Sequence, residues 1–475
     1  MQCSQREGVY IETLGCPKNV ADSEGFKKRL VLAGVPVKDS PEEAEFIIVN
    51  TCGFIEDAKR ESIEEILRLA SFKQKIRTRR FTHATNTSTV TFTNNNVEKA
   101  VPKLVVMGCL VKRYFRELKK ELPEVDAFFG VNEEDNIIAY LKSNSSTISG
   151  DSNRCDSFGL ETVSFVTNKV KAGLKSSKGF QLLPSPPYAY LKISDGCNRK
   201  CSFCVIPKIK GPYWSIEPDK IIREAQELIS KGYKELILVG QEISSYGRDR
   251  RDFPSLRDLI KEITGIPGDF WVRLLYLHPA SITEELLEEV ASNNKVCKYL
   301  DIPLQHSEDR ILRLMRRPGS KEQYRRLIKR IRSIIPDVTI RTTFIVGFPG
   351  ETDGDFNGLI DFIKEIEFDR LGVFKYSREE GTPAFNFKGQ LPDKIKKKRY
   401  DEIMKLQAEI SLRKNLSLVG KKMRCLIDYK GLGRLQSQAP EIDGMVLLNS
   451  TSISDFVDVI ITRAYEYDLE GLVAK

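Results

Sequence analysis

KISDGCNRKCSFCVIP, running from Lys192 to Pro207, places Cys197, Cys201 and Cys204 three and then two residues apart, directly after an apolar run and beside Gly196. At that spacing three thiolates can wrap one corner of a small inorganic cluster. A structural zinc site takes four protein ligands, and a cubane cluster held by protein alone takes four cysteines. A compact triad leaves one metal position open to another ligand, and an open metal position is a place for chemistry. No fourth Cys or His follows at zinc-ligand spacing, so a zinc knuckle or a disulfide corner is the weaker alternative.

Outward from the triad, six apolar runs follow Tyr188: YAYLKIS, ELILVGQ, WVRLLYL, YLDIPLQ, TIRTTFIVGF and DRLGVFKYS. Helical patterns such as DKIIREAQELISKG and KEQYRRLIKRIRSI separate them. Six strand–helix units predict a curved parallel sheet or partial (β/α) barrel with its site at the carboxyl ends of the strands. The triad follows the first strand. Gly240, Gln241 and Glu242 end the second, Asp301 to His306 end the fourth, and Arg341 with Gly347 to Glu351 span the fifth. Arg341 reads equally well as a barrel-interior ion pair, and His306 as a satisfied core histidine.

The first third of the chain repeats one pattern three times, an apolar strand ending in a cysteine. VYIETLGC ends at Cys16, FIIVNTC at Cys52 and LVVMGC at Cys109, each followed by a helical stretch. Alternating strand and helix predicts an N-terminal parallel-sheet α/β domain whose ligands lie beyond the carboxyl ends of the strands. All three cysteines fall at that edge, where they could converge as a second three-cysteine set. Lys73 to Asn96, rich in Thr and Asn, reads as an inserted loop or short hairpin. Ser143 to Pro187 turns to Ser, Asn, Gly and Pro and reads as a linker. After Pro383 the basic run KIKKKR (Lys394 to Arg399) opens a helix, with a solvated face and a nucleic-acid patch as its two readings. From Gly420, short alternating runs predict a small all-β barrel of about five strands, of a kind that binds RNA or ribonucleoprotein. The expected domains are 8–145, a linker 146–187, 188–415 and 416–475.

Bulk properties agree with a globular protein of several domains: 475 residues, 41% hydrophobic and 30% charged. With no apolar run near 18 residues and a polar start, a cytoplasmic location without membrane contact is expected, where cysteines more often bind metal than pair. Cys3, Cys155, Cys297 and Cys425 are taken as ordinary thiols. Lys and Arg number 75 against 66 Asp and Glu, an excess that permits an RNA-rich partner without demanding one.

The C-x3-C-x2-C triad, with Phe203 before its last cysteine, resembles the signature of radical S-adenosylmethionine enzymes. With LGCPKNVADSE, NTCGFIEDAKRESIEEIL, GVNEEDNI, DIPLQH, RTTFIVGFPGET, FKYSREEGTPA and QAPEIDG, nearly the whole chain resembles the radical S-adenosylmethionine methylthiotransferases, in particular the RimO branch. The resemblance implies two 4Fe-4S clusters, an auxiliary one on Cys16, Cys52 and Cys109 and a radical-generating one on Cys197, Cys201 and Cys204. It implies S-adenosylmethionine held near Phe203, Gly240, Gln241, Glu242, Arg341 and Gly347, and a C-terminal TRAM-like module. The implied reaction is methylthiolation of the β-carbon of an aspartate in a small-subunit ribosomal protein, S twelve. One S-adenosylmethionine serves as radical source and a second as methyl donor. An external electron donor, contact with the ribosomal protein or ribosome, RNA contact through the β module and a monomeric state go with it. Two alternatives stay open: methylthiolation of isopentenyl-adenosine in tRNA, and a non-catalytic iron–sulfur protein docking on ribonucleoprotein. The family generally carries arginines after Pro207, whereas Lys210 to Ile216 here reads KGPYWSI.

Overall fold

The structure, a computed structural model, describes residues 6–84, 101–145, 186–449 and 455–474. The chain divides into two units, Met1–Val163 with Lys208–Lys210, and Ser164–Pro207 with Gly211–Lys475.

In the first unit, β1 (Val9–Thr13), β2 (Phe46–Thr51), β3 (Lys103–Gly108) and β4 (Ala127–Phe129) form a parallel sheet in that spatial order. β2 reads FIIVNT and is buried at every position, as a parallel strand covered on both faces must be. Alternation divides its side chains between two cores. Ile47 and Val49 pack with Leu104, Val106, Ile66 and Leu69, while Phe46 and Ile48 pack with Val105, Phe26, Leu30 and Ile137. Full burial of each such side chain contributes roughly 1.5–3 kcal/mol. Helices Pro17–Leu32, Glu56–Ala84, Cys109–Glu121 and Glu134–Asn144 supply the covers.

One expectation changes here. The predicted loop at Lys73 to Asn96 is helical through Ala84, because Glu56–Ala84 runs on as one helix. Extending an existing helix needs no new nucleus, and the Lys, Gln and Arg of KQKIRTRR are good helix formers. Residues 85–96 lie outside the described residues, as do 146–185 of the expected linker. The fourth strand, three residues long, is too short to show a period.

The second unit holds β5 (Tyr188–Lys192), the two-residue strands β6 (Ser194–Asp195) and β7 (Trp214–Ser215), then β8 (Glu235–Val239), β9 (Trp271–Leu274), β10 (Val296–Asp301), β11 (Thr339–Val346) and β12 (Arg370–Lys375). β6 and β7 pair antiparallel. The other six form one parallel sheet in the order β12-β11-β10-β9-β8-β5, the six-stranded architecture expected from the sequence.

Helix Asp393–Leu416 leads to β13 (Lys422–Tyr429), β14 (Leu432–Leu435), β15 (Val446–Leu448), β16 (Phe456–Ala464) and β17 (Leu469–Val473), which close a five-stranded barrel. The barrel joins the sheet at the starts of its strands. Glu235, first in β8, accepts from Arg273 Nε at 2.5 Å and from Arg434 Nη2 at 2.7 Å, and Arg434 also holds Asp428. All four side chains are buried. The loop after β14 adds Glu441, which accepts from Tyr188 Oη at 2.8 Å, and Asp443, which accepts from Tyr299 Oη at 2.7 Å.

The KIKKKR run divides. Lys394, Lys397 and Lys398 are exposed, but Lys396 and Arg399 are buried. Arg399 holds Glu351 Oε1 at 2.6 Å and Asp353 Oδ1 at 2.7 Å. Part of the run therefore fixes the loop after β11 and is neither a solvated face nor a nucleic-acid patch. Among the described residues no helix is long and apolar enough to cross a membrane.

Candidate functional site

Each cysteine of the first unit sits where a strand gives way to a helix. Cys16 caps helix Pro17–Leu32, Cys52 follows β2, and Cys109 opens the helix after β3. Glycine lets these turns close on one another. Gly15 has φ +94°, and a Cβ there would lie 2.6 Å from Cys52 Cβ and 3.0 Å from its Sγ. A Cβ on Gly53 would meet the Leu110 nitrogen at 2.8 Å and the Cys109 carbonyl carbon at 2.9 Å. Polar side chains tie the turns together. Asn19 Nδ2 donates to the carbonyls of Leu14 at 2.9 Å and Thr51 at 3.2 Å, Thr51 Oγ1 donates to the carbonyl of Met107 at 2.6 Å, and the Cys52 amide donates to Ser62 Oγ at 3.0 Å.

Two of the three thiols are strongly shifted. Burial pushes the Cys52 thiol up to about 11, and negative charge on Cys16 would push it the same way. Burial likewise pushes Cys109 up to about 12, with Cys52 and Cys16 adding to the rise. Buried thiols of this kind lose their protons to a metal and otherwise keep them.

In the second unit the cysteine loop leaves the sheet after β6. Gly196 has φ +69°, and a Cβ there would lie 2.0 Å from the Pro212 carbonyl oxygen, so only glycine fits. The loop is fastened at each step. The Cys197 amide donates to the Gly211 carbonyl at 3.2 Å, the Arg199 amide to Cys197 Sγ at 3.4 Å, and the Cys204 amide to the Cys201 carbonyl at 3.2 Å. Ser202 Oγ donates to the Leu314 carbonyl at 2.7 Å, and the Ala384 amide donates to the Ser202 carbonyl at 2.8 Å. Arg317 Nη1 stands 3.9 Å from Cys201 Sγ. Burial pushes Cys204 up to about 12, with Cys201 and Cys197 adding to it, and Cys197 rises for the same first cause.

The remaining expected site residues divide. Phe203 packs against the cluster of Ile311, Met315, Phe348 and Tyr376. Gly240 has no room for a side chain, since a Cβ would meet Ser194 Oγ at 2.3 Å, and Gln241 carries a buried Oε1 with no hydrogen-bond partner. Gly347, at φ +74°, donates its amide to Glu351 Oε2 at 2.8 Å. The Glu242 carboxylate accepts from Arg199, Ser244 and Ser245. Arg341 stands between Asp301 at 3.1 Å and Asp443 at 3.9 Å, the interior ion pair that the sequence offered as the other reading. His306 is fully buried, and its Nδ1 accepts from the Glu308 amide at 3.0 Å.

Four residues around the central loop escaped the sequence reading: Arg199, His278, Ser281 and Arg317. Arg199 and Arg317 lie in polar stretches with nothing to separate them from other surface arginines. His278 ends the turn after β9, is buried, and has an Nε2 without a partner. HPAS after an apolar strand was the one available sign of it.

Among the described residues no three His, Cys, Asp or Glu side chains gather closely enough to hold a single metal ion. Three thiols brought together beyond the ends of strands have the donor chemistry that iron–sulfur clusters select. Both cysteine sets fit such a group.

Comparison with known families matches residues 191–363 to the radical SAM superfamily, 8–130 to a family described as "Uncharacterized protein family UPF0004", and 419–473 to the TRAM domain. A protein of Thermodesulfovibrio yellowstonii named "Ribosomal protein uS12 methylthiotransferase RimO" is 46% identical over 98% of this chain and 99% of its own. Proteins of the same name from Thermoanaerobacter sp. and Thermotoga maritima are 43% and 40% identical, over 98% of this chain and 99% of theirs. Among solved structures, the radical S-adenosylmethionine methyltransferase TsrM of Kitasatospora setae superposes with a TM-score of 0.52 at 14% identity, covering 80% of this chain and 77% of that one. That likeness is one of fold.

Proposed function

This chain belongs to the RimO family of ribosomal protein uS12 methylthiotransferases, and from that premise we propose that it attaches a methylthio group to the β-carbon of an aspartate in uS12. The observation that carries the reading is the presence of two three-thiol sets, each at the carboxyl edge of a parallel sheet and each in its own unit. A single open cluster suffices to start a radical; the second thiol set is what sulfur transfer asks for in addition.

Cys197, Cys201 and Cys204 would hold one 4Fe-4S cluster, and Cys16, Cys52 and Cys109 an auxiliary one. When bound, these clusters and S-adenosylmethionine supply the hydrogen-abstracting radical, the sulfur and the methyl group. The target carbon needs such chemistry because no side-chain base removes a proton from an unactivated C–H bond near neutral pH. What the chain's own residues do is position and exclude. Gly240 and Gly347 let Ser194 and Lys396 pack directly on the backbone at the ends of β8 and β11, which fixes these strand ends. Arg399 and Glu351 fix the second of these loops. Arg341 ties β11 to Asp301 at the end of β10.

The functional domains are taken as 8–145, 188–415 and 416–475, with 146–187 linking the first two. The C-terminal barrel offers a surface for ribosomal RNA next to the protein substrate. An external electron donor, a monomeric state and a cytoplasmic location complete the proposal. The full-length relatives carry the ribosomal name, which favours this reading over the tRNA alternative. The test is the mass of the target aspartyl peptide of uS12 from cells with and without the gene. A methylthio increment that depends on the gene is expected; equal masses would overturn the assignment of substrate.

A further inference from the structure

The central cysteine loop is closed by a ring of hydrogen bonds that crosses three strand ends. Arg199 lies inside the triad, between Cys197 and Cys201. Its guanidinium donates to Glu242 Oε2 from Nε at 3.2 Å and from Nη2 at 3.1 Å, and Nη2 also donates to Ser281 Oγ at 2.5 Å. From Glu242 the ring continues through Ser244, whose Oγ donates to Glu242 Oε1 at 2.6 Å and accepts from the His278 amide at 2.8 Å. The Ser281 amide donates to the His278 carbonyl at 2.9 Å and closes it. Ser245 Oγ takes the rest of the carboxylate, at 2.7 and 2.9 Å. Glu242 is buried, and both of its oxygens are occupied by groups of the protein itself.

We propose that Arg199 is a positioning residue that locks the triad before any cofactor arrives, and that Glu242 serves this lock and is not a ligand of S-adenosylmethionine. The inference rests on the proposed use of the triad as the radical-generating site. Its physical basis is geometric. Arginine presents a planar fork, so one side chain can grip a carboxylate and a hydroxyl at once, and charge-assisted bonds of this kind are about twice as strong as neutral ones. A loop of eight residues carrying three thiols would otherwise sample many spacings, and ordering it has an entropy cost. The ring fixes the turn to the ends of β8 and β9, so that ordering precedes cluster binding.

Three variants of the full chain separate this role from direct ligation: Arg199→Ala, Glu242→Gln and the double substitution. In cluster-free protein, deuterium exchange of the peptide covering 196–204 is expected to rise in each single variant and to rise no further in the double. Exchange of β8 and β11 should stay at the wild-type level. In reconstituted protein, kcat/KM for S-adenosylmethionine cleavage should fall by ~10–100-fold in each single variant, as a displacement of about 1 Å can cause. The double variant should match the singles, because members of one ring are not additive. Arg199→Lys, which reaches Glu242 or Ser281 but not both, should recover part of each readout.

Additive losses, with Glu242→Gln raising KM for S-adenosylmethionine even beside Arg199→Ala, would make Glu242 a cofactor ligand and overturn the proposal. Unchanged exchange in Arg199→Ala would overturn it as well. Absence of cleavage in the wild type would instead strike at the radical reading, and the exchange data would still decide the lock.

Discussion

The two cysteine sets reach the same donor chemistry by opposite routes. The central set is local: eight residues span it, and its spacing is a property of one loop held by amides and by Arg199. The N-terminal set is distributed. Cys16, Cys52 and Cys109 come from three turns that meet only because β1, β2 and β3 pair in register and because Gly15 and Gly53 let backbone approach backbone. A local set needs its loop tightened. A distributed set needs the whole sheet folded first.

The comparison breaks most sharply on function. Cys201→Ala should abolish S-adenosylmethionine cleavage, measured as 5'-deoxyadenosine released, while the N-terminal set is retained. Cys52→Ala should keep cleavage and lose methylthiolated product, measured by mass. Cleavage surviving Cys201→Ala would reject the assignment of the central triad. The next largest effect is on stability. Arg434→Ala leaves Glu235 and Asp428 buried with less compensation, which costs about 3–5 kcal/mol when a buried pair is broken. The second unit should then unfold at lower urea, with the N-terminal set's iron unchanged.

Gly15→Ala tests the distributed set directly. Its φ of +94° and the 2.6 Å approach to Cys52 Cβ predict a loss on the order of 2 kcal/mol and emptying of the N-terminal set alone, read as iron content. The last effect is confined to acid. Burial pulls His306 down to about 3 and His278 to about 2 from the ordinary 6.5. Both are neutral when folded, whereas the unfolded chain takes up protons below 6.5. Their contribution is therefore complete above pH 6.5 and declines as pH falls toward about 3. A circular-dichroism titration over that window should show the decline, and His306→Gln should make it shallower while leaving the His278 part.

The same contrast explains what the sequence disclosed. The central triad was legible because its spacing is its geometry. The N-terminal set was legible only through topology: three strands each ending in a cysteine, in a fold whose ligands gather at one edge. The six-stranded sheet and the five-stranded barrel followed from apolar runs of clear period. Pairings across long separations were hidden. Arg199 meets Glu242 from 43 residues away, and Arg399 meets Glu351 from 48, so KIKKKR looked like surface charge. Thr and Asn in the insert suggested a loop, while its first half carries a helix onward.

Iron bound per chain, in Cys52→Ala and Cys201→Ala after anaerobic reconstitution, tests most directly whether the two sets are separate sites. About eight irons are expected in the wild type and about four in each variant, since each cluster holds four. If either substitution emptied both sets, or if neither changed the count, the account of two independent three-thiol sites would be contradicted.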